Sequence, residues 1–332
     1  MKKYGRILCF LAVFMLLAAG PVFSQSIDGD LLRSGVDSFS NAMVKALPFS
    51  ATMGLNWSDA HIGQFVALPP HFGVGFTMGA TTIPLGSITG LADMLGMPIP
   101  GDLPIGFPLP GYTIEARLGG FIIPFDIGVK FGYLPQNELL SGLVGGMALK
   151  YQLIGADFRY AVIDSGLLPI RFSVGLGINH LTGGVFKTIR GFEDDFSFGI
   201  INIEVDNPEL GLAWETTVLE LKAHVSFPLL IITPYAGAGI SYAWSNAGYQ
   251  VNSRITVNGD PIEATDLEYL NGLGVGRFSS NGFERMVNAE GFNARLYGGI
   301  SINVTVIRFD FTVMYNVMDP SFGGTFGVRL QI

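Results

Sequence analysis

The chain has 332 residues, of which 49% are hydrophobic and 14% charged, with a mean hydropathy of +0.43 and a formal net charge of −8. Soluble domains carry about 25% charged residues, so this composition argues against an ordinary water-soluble protein. After Ala19, no stretch has the ~18 uninterrupted apolar residues that a membrane-spanning helix needs. What remains is a chain that meets lipid with strands, or a soluble one with an unusually apolar core.

Lys2, Lys3 and Arg6 precede an apolar run over 7–19 (ILCFLAVFMLLAA), which Gly20 and Pro21 break. Val22-Phe23-Ser24 then fits a small-x-small cleavage site before Gln25, so residues 1–24 read as a secretory signal peptide. Cys9 is the only cysteine and lies inside that segment. The mature chain therefore has no disulfide, thiolate metal site or cysteine nucleophile.

Over 25–47, Ile27, Leu31, Leu32, Val36, Phe39, Met43 and Leu47 recur at helical spacing among charged residues, and Pro48 follows. The pattern predicts an amphipathic helix ending at Pro48. It either lies along a surface or enters the interior of the remaining fold as a plug.

From residue 49 the period becomes two. In YTIEARLGGFIIPFDIGVKFGYLP (112–135), Tyr112, Ile114, Ala116 and Leu118 alternate with Thr113, Glu115 and Arg117. Strands are predicted at about 49–57, 71–79, 111–120, 124–134, 143–154, 156–164, 169–180, 210–226, 233–244, 291–304, 307–317 and 322–332. In lipid every backbone polar group needs an internal partner, and a closed barrel supplies one without helices. The expected fold over 48–332 is thus all-β, a closed antiparallel transmembrane β-barrel of about 12 strands. Ten to fourteen are open, because 196–205 and 249–257 could be extensions or another hairpin. Long loops are expected at 181–209 and 245–290, and tight turns near 227–233 and 304–307. The segment 80–110 then falls on the tight-turn side, against the scheme.

The chain closes with Phe326, Val328, Leu330 and Ile332 alternating with Gly327, Arg329 and Gln331. This resembles the terminal strand of bacterial outer-membrane β-barrel proteins, where those spaced apolar residues are the assembly signal. Ile332 departs from the Phe or Trp usual there. The resemblance implies residence in the cell outer membrane, with its lipids and the barrel assembly machinery as partners.

With the apolar face turned to lipid, the wall of the lumen collects Arg117, Lys130, Lys150, Arg159, Arg171, Lys222, Arg295, Arg308 and Arg329. Against them stand Glu115, Asp126, Asp157, Glu220 and Asp310. The wall is net basic, so an open lumen would prefer anions. Gly175, Gly177, Gly237, Gly239 and Gly299 share that face and leave room for something to pass or to pack. Trp57, Tyr112, Tyr133, Trp214, Trp244 and Tyr315 near strand ends fit interfacial girdles.

The four histidines are dispersed, and no zincin, Walker or nucleophile-elbow motif occurs. No cofactor and no metal is expected, and solvated loop charge is the commoner reading of Glu193-Asp194-Asp195. His224 and Ser226 share one strand face, which is similar to the His-x-Ser arrangement of outer-membrane lipid A deacylases. Chance accounts for such a pair more readily, so a barrel without enzymatic activity is expected. An exported acidic chain is also a poor partner for nucleic acid. The expected function is a pore or uptake channel for small solutes of unknown identity. The helix, the glycine-rich face and the apolar 80–110 segment look loosely like the long-chain fatty acid transporter family, which would favour apolar solutes. A structural or adhesive surface barrel is the alternative, and a lipid-modifying enzyme using His224 and Ser226 a remote one.

Overall fold

The computed structural model describes residues 29–62, 71–83, 106–119, 123–137, 148–163, 170–188, 193–198, 201–257, 260–272 and 277–331. The signal-peptide region and Ile332 lie outside them. Helix α1 (Gly29–Ala51) precedes the strands β1 (Phe72–Ile83), β2 (Phe107–Gly119), β3 (Phe125–Asn137), β4 (Ala148–Ile163) and β5 (Arg171–Thr188). There follow β6 (Glu193–Phe198), β7 (Ile201–Ser226), β8 (Ile232–Val257), β9 (Asp260–Pro261) and helix α2 (Ala264–Gly272). The chain ends with β10 (Arg277–Ser279), β11 (Gly282–Val304), β12 (Ile307–Asn316) and β13 (Ser321–Gln331).

Ten strands close an antiparallel barrel in the order β11–β12–β13–β1–β2–β3–β4–β5–β7–β8, and β8 pairs back onto β11. The short β6, β9 and β10 attach to β7, β8 and β11 at one end. Closure pairs backbone groups that an open sheet would leave at its edges. Polarity is inside out: Leu176, Leu221, Ile240 and Val313 are 60–70% exposed on the outer face, while Arg117, Asp126 and Arg329 are buried within. Exposed apolar side chains on every wall strand form the belt that a barrel presents to lipid.

The count is ten and not twelve for two reasons. Residues 49–57 are no strand: α1 continues through Pro48 to Ala51, and the chain beyond runs irregularly inside the barrel. The segments 143–154 and 156–164 are one strand, since Gly155 stays in the ladder, paired to Lys130 and Asn179. A Cβ there would meet Lys130 Cε at 2.6 Å, so the glycine admits a crossing side chain and makes no turn. The merger also moves the 84–106 connection to the end that carries the other long connections, which removes the topological conflict.

The expected long loops are largely strand. β7 and β8 have 26 residues each and β11 has 23, whereas about 9–11 tilted residues cross a bilayer. Above the belt the outward positions turn polar, with Glu215, Asn246 and Glu290 exposed. There the apolar positions face inward instead, onto α1, so a lipid-facing alternation no longer identifies them.

Candidate functional site

The N-terminal segment threads the barrel from the long-strand end to the tight-turn end. Asp37 of α1 pairs with Arg285 near the start of β11 at 3.2 Å. Further along, Ser50 Oγ lies 2.6 Å from Thr81 Oγ1 at the top of β1. At the far end, the Ala60 amide donates to Ser226 Oγ at 3.2 Å and the Ile62 amide to Asp126 Oδ2 at 2.8 Å.

Two zones result. In the upper one, Phe39, Met43, Val44 and Leu47 of α1 pack on inward Leu153, Leu181, Trp214, Val218, Ala243 and Ala247. This buried apolar contact holds the helix. In the lower one, residues 51–62 sit in a collar of ionisable side chains that bind mainly their backbone carbonyls. Lys130 Nζ donates to Ala51 O (2.8 Å) and Met53 O (2.5 Å), and Arg117 Nη2 to Leu55 O (3.0 Å). Arg159 Nη1 donates to Asp59 O at 2.7 Å. Gly54 and Leu55 both have positive φ, +82° and 57°. A left-handed non-glycine residue stores about 1–3 kcal/mol and persists only where its surroundings impose it. Here two walls claim one carbonyl, for Lys222 Nζ also lies 3.5 Å from Leu55 O.

Side chains of the threaded segment complete the collar. Trp57 Nε1 donates to Glu115 Oε2 at 2.5 Å, with the guanidinium carbons of Arg329 and Arg117 at 4.7 and 5.5 Å from its ring. Such cation–π contacts gain strength when desolvated. Asn56 Oδ1 accepts from Arg295 Nη2 at 3.0 Å. Asp59 accepts from Arg308 Nη1 at 2.6 Å and Arg329 Nη1 at 2.9 Å. Burial alone would raise its carboxyl, but Arg329 and Arg308 hold it well below the usual carboxylate range.

Wall charges also pair among themselves: Arg117 with Asp126 (2.6 Å) and Asp157 (2.7 Å), Arg159 with Asp126 (2.6 Å), and Lys222 with Asp157 (2.5 Å). Arg295 pairs with Glu220 and Arg329 with Asp310, each at 2.6 Å. A buried charge without a partner is strongly destabilising, so this mutual satisfaction is what makes such an interior tolerable.

Of the wall residues read from the sequence, Glu115, Arg117, Asp126, Lys130, Asp157, Arg159, Lys222, Glu220, Arg295, Arg308, Asp310 and Arg329 are buried inside. Arg171 is half-buried at the tight-turn rim on the same face. Lys150 is exposed on the outer face. It stands an odd number of residues from Asp157 in one continuous strand, so the two cannot share a face. The girdle assignment fails for Trp57 and Trp214, both buried inside, whereas Tyr112, Tyr133, Trp244 and Tyr315 do face outward. The inner glycines make room for neighbours and not for a channel: a Cβ on Gly237 would strike the Tyr297 ring, and one on Gly239 the Glu220 carboxylate.

His224 and Ser226 are both engaged with the threaded segment in this arrangement. His224 Nε2 donates to Ser58 O at 3.1 Å and its Nδ1 faces Tyr297 Oη at 3.1 Å, while Ser226 binds the Ala60 amide. Asn56, Trp57, Ser58 and Asp59 are the site residues that sequence reasoning missed. The available signal was the polar run Asn56–His61, too polar for a strand facing lipid. Phe326 and Leu330 of the terminal strand point outward and exposed, Val328 outward and partly exposed.

No protein-family model and no curated protein matches the chain. Among solved structures it is similar to Ail, the attachment invasion locus protein of Yersinia pestis, at 7% identity over 80% of this chain and 100% of that one, TM-score 0.28. It is likewise similar to the transport unit of the autotransporter AIDA-I from Escherichia coli, at 9% identity over 90% and 99%, TM-score 0.32. A third is a major outer membrane protein from Thermus thermophilus, at 13% identity over 79% and 99%, TM-score 0.28. At such scores the functional reading rests on the chain's own residues.

Proposed function

We propose that the protein is an outer-membrane β-barrel for uptake of small apolar solutes, closed by its own N-terminal segment. The observation that carries this reading is the two-zone lumen: an apolar chamber above a charged collar, both filled by residues 37–62. A passive ion pore has no need of an apolar chamber, and here α1 and residues 51–62 occupy the lumen. The collar grips the segment chiefly through carbonyl acceptors, which water can replace bond by bond, so release does not strand many charges. The outer-membrane location is supported by the signal-peptide pattern, the apolar belt and the terminal strand, which the assembly machinery would engage.

A second reading, a surface-contact barrel, is favoured by the strands that rise beyond the belt and by Glu209, Glu215, Glu284 and Glu290 on them. Planar-bilayer conductance separates the two. The full chain should conduct almost nothing, and deletion of residues 26–62 should open a steady conductance and speed the entry of an uncharged aromatic dye into vesicles. Equal, negligible conductance and dye entry in both would overturn the uptake reading.

A further inference from the structure

The wall is not continuous between β2 and β3. Their ladder runs from Gly119 with Asp126 to Ile114 with Phe131 and stops, although β2 continues back to Phe107 and β3 on to Asn137. Over the split each strand is held from one side only, β2 by β1 and β3 by β4. Pro108, Pro110 and Pro135 fall in the split segments and have no N–H to give to a ladder. The carbonyls the ladder would have used find tyrosines instead. Tyr151 Oη donates to Tyr112 O at 3.1 Å, and the Tyr112 hydroxyl donates to Tyr133 O.

A cavity of about 1190 Å³ extends from β11, β12 and β13 across β1 to the split, and at the split its lining includes residues of both faces of the wall. Phe76, Met78 and Tyr112 line it from the outer face, Gly111, Leu134 and Tyr151 from the inner. Among the described residues, no charged one takes part in the lining. On the inner side, Tyr151 and Leu134 belong to the apolar cluster that holds α1. On the outer side, Tyr112 and Tyr133 stand where the belt ends, so the mouth sits at the edge of the bilayer.

We propose that the split seam is a binding site for an uncharged, apolar small molecule taken from the bilayer edge and held between Tyr112, Leu134 and Tyr151. The described lining residues offer no charged partner for an ionised group, and both tyrosine hydroxyl protons are committed to backbone carbonyls. A charged ligand would be left desolvated there, whereas a hydrocarbon ring or chain loses nothing. The site goes beyond the uptake reading and stands whether or not the lumen opens.

The test is photolabelling of the full chain in lipid nanodiscs with a small uncharged aryl diazirine, mapped by mass spectrometry. Labelling at Tyr112, Leu134 and Tyr151 should saturate and be competed by excess ethylbenzene. The belt residues Leu176 and Leu221 should label in simple proportion to probe. Gly111→Leu should abolish the saturable component, because a Cβ there meets Met53 Cε at 2.6 Å and Tyr151 Oη at 2.9 Å. Leu134→Trp should do the same, and heat-dependent gel migration reports whether each variant folds. A diazirine on a phospholipid acyl chain distinguishes the sources: capture at the same residues assigns the site to a bilayer lipid, and capture of the free probe alone to a free solute. Seam labelling that rises without saturation, as at Leu221, would overturn the proposal even if neither variant folds.

Discussion

Arg329, on the last strand, donates to Asp59 in the threaded segment at 2.9 Å, across 270 residues of sequence. The same guanidinium reaches Asp310 at 2.6 Å and stacks over Trp57, so one side chain ties the closing seam of the barrel to its contents. Asp59→Asn removes the one carboxylate that the segment brings to this cluster. Breaking a buried pair from one side costs about 3–5 kcal/mol, and Asp310 still serves Arg329, so the lower figure is expected. Hydrogen exchange over 52–62 should accelerate while the wall strands stay protected. Unchanged protection of 52–62 would show that the carbonyl contacts alone seat the segment.

The pH response of that anchor has a definite sign. Asp59 has a lowered folded pKa, so it contributes stability at neutral pH, and this is lost only as pH falls below the ordinary carboxylate value of about 4. Conductance of the full chain should therefore stay closed from pH 7 down to about 4 and rise only in stronger acid. Opening between pH 6 and 7 would assign the latch to another group.

The belt can be mapped with charge. Leu221 is 61% exposed on the outer face, and Leu221→Arg should destabilise the folded barrel by about 2–4 kcal/mol, as at a bilayer midplane. Glu215→Arg, six residues along the same face but above the belt, should be near neutral. Denaturant titration in liposomes gives both values, and similar effects at the two positions would remove the lipid boundary drawn between them.

Packing inside the wall is tight enough to test with one methyl group. Gly237→Ala places a Cβ against the Tyr297 ring, which also holds His224, and overpacking of this kind costs about 1–3 kcal/mol. Loss of barrel stability should be relieved in part by Tyr297→Phe. A Gly237→Ala barrel as stable as the parent would mean the tyrosine has space to move.

Threading direction predicts sidedness. α1 meets the long-strand end and Ile62 the tight-turn end, so a tag inserted at residue 26 should share its accessibility with one in the 273–276 connection. A tag at Leu230 should behave oppositely. Surface labelling of intact cells reads this directly, and an N-terminal tag that groups with Leu230 would reverse the threading.

Period-two alternation by itself determined the strands, the dry outer face and the charged inner one, because every side chain one place along a strand changes face. That reasoning needs no partner, and it placed Arg117, Asp126, Arg295 and Arg329 on the face that the structure buries. It also failed where its premise lapsed. Strand length beyond the belt escaped it because the solvent changes there, and Leu212, Trp214 and Tyr249 turn inward onto α1. Residues 49–57 alternate like a strand yet run down the lumen, for nothing local distinguishes a carbonyl that waits for a ladder from one that waits for Lys130 or Arg117. Only the closed barrel decided that. It brings cations from β2, β3, β4, β7, β11, β12 and β13 to one axis, and no spacing along the chain records that convergence.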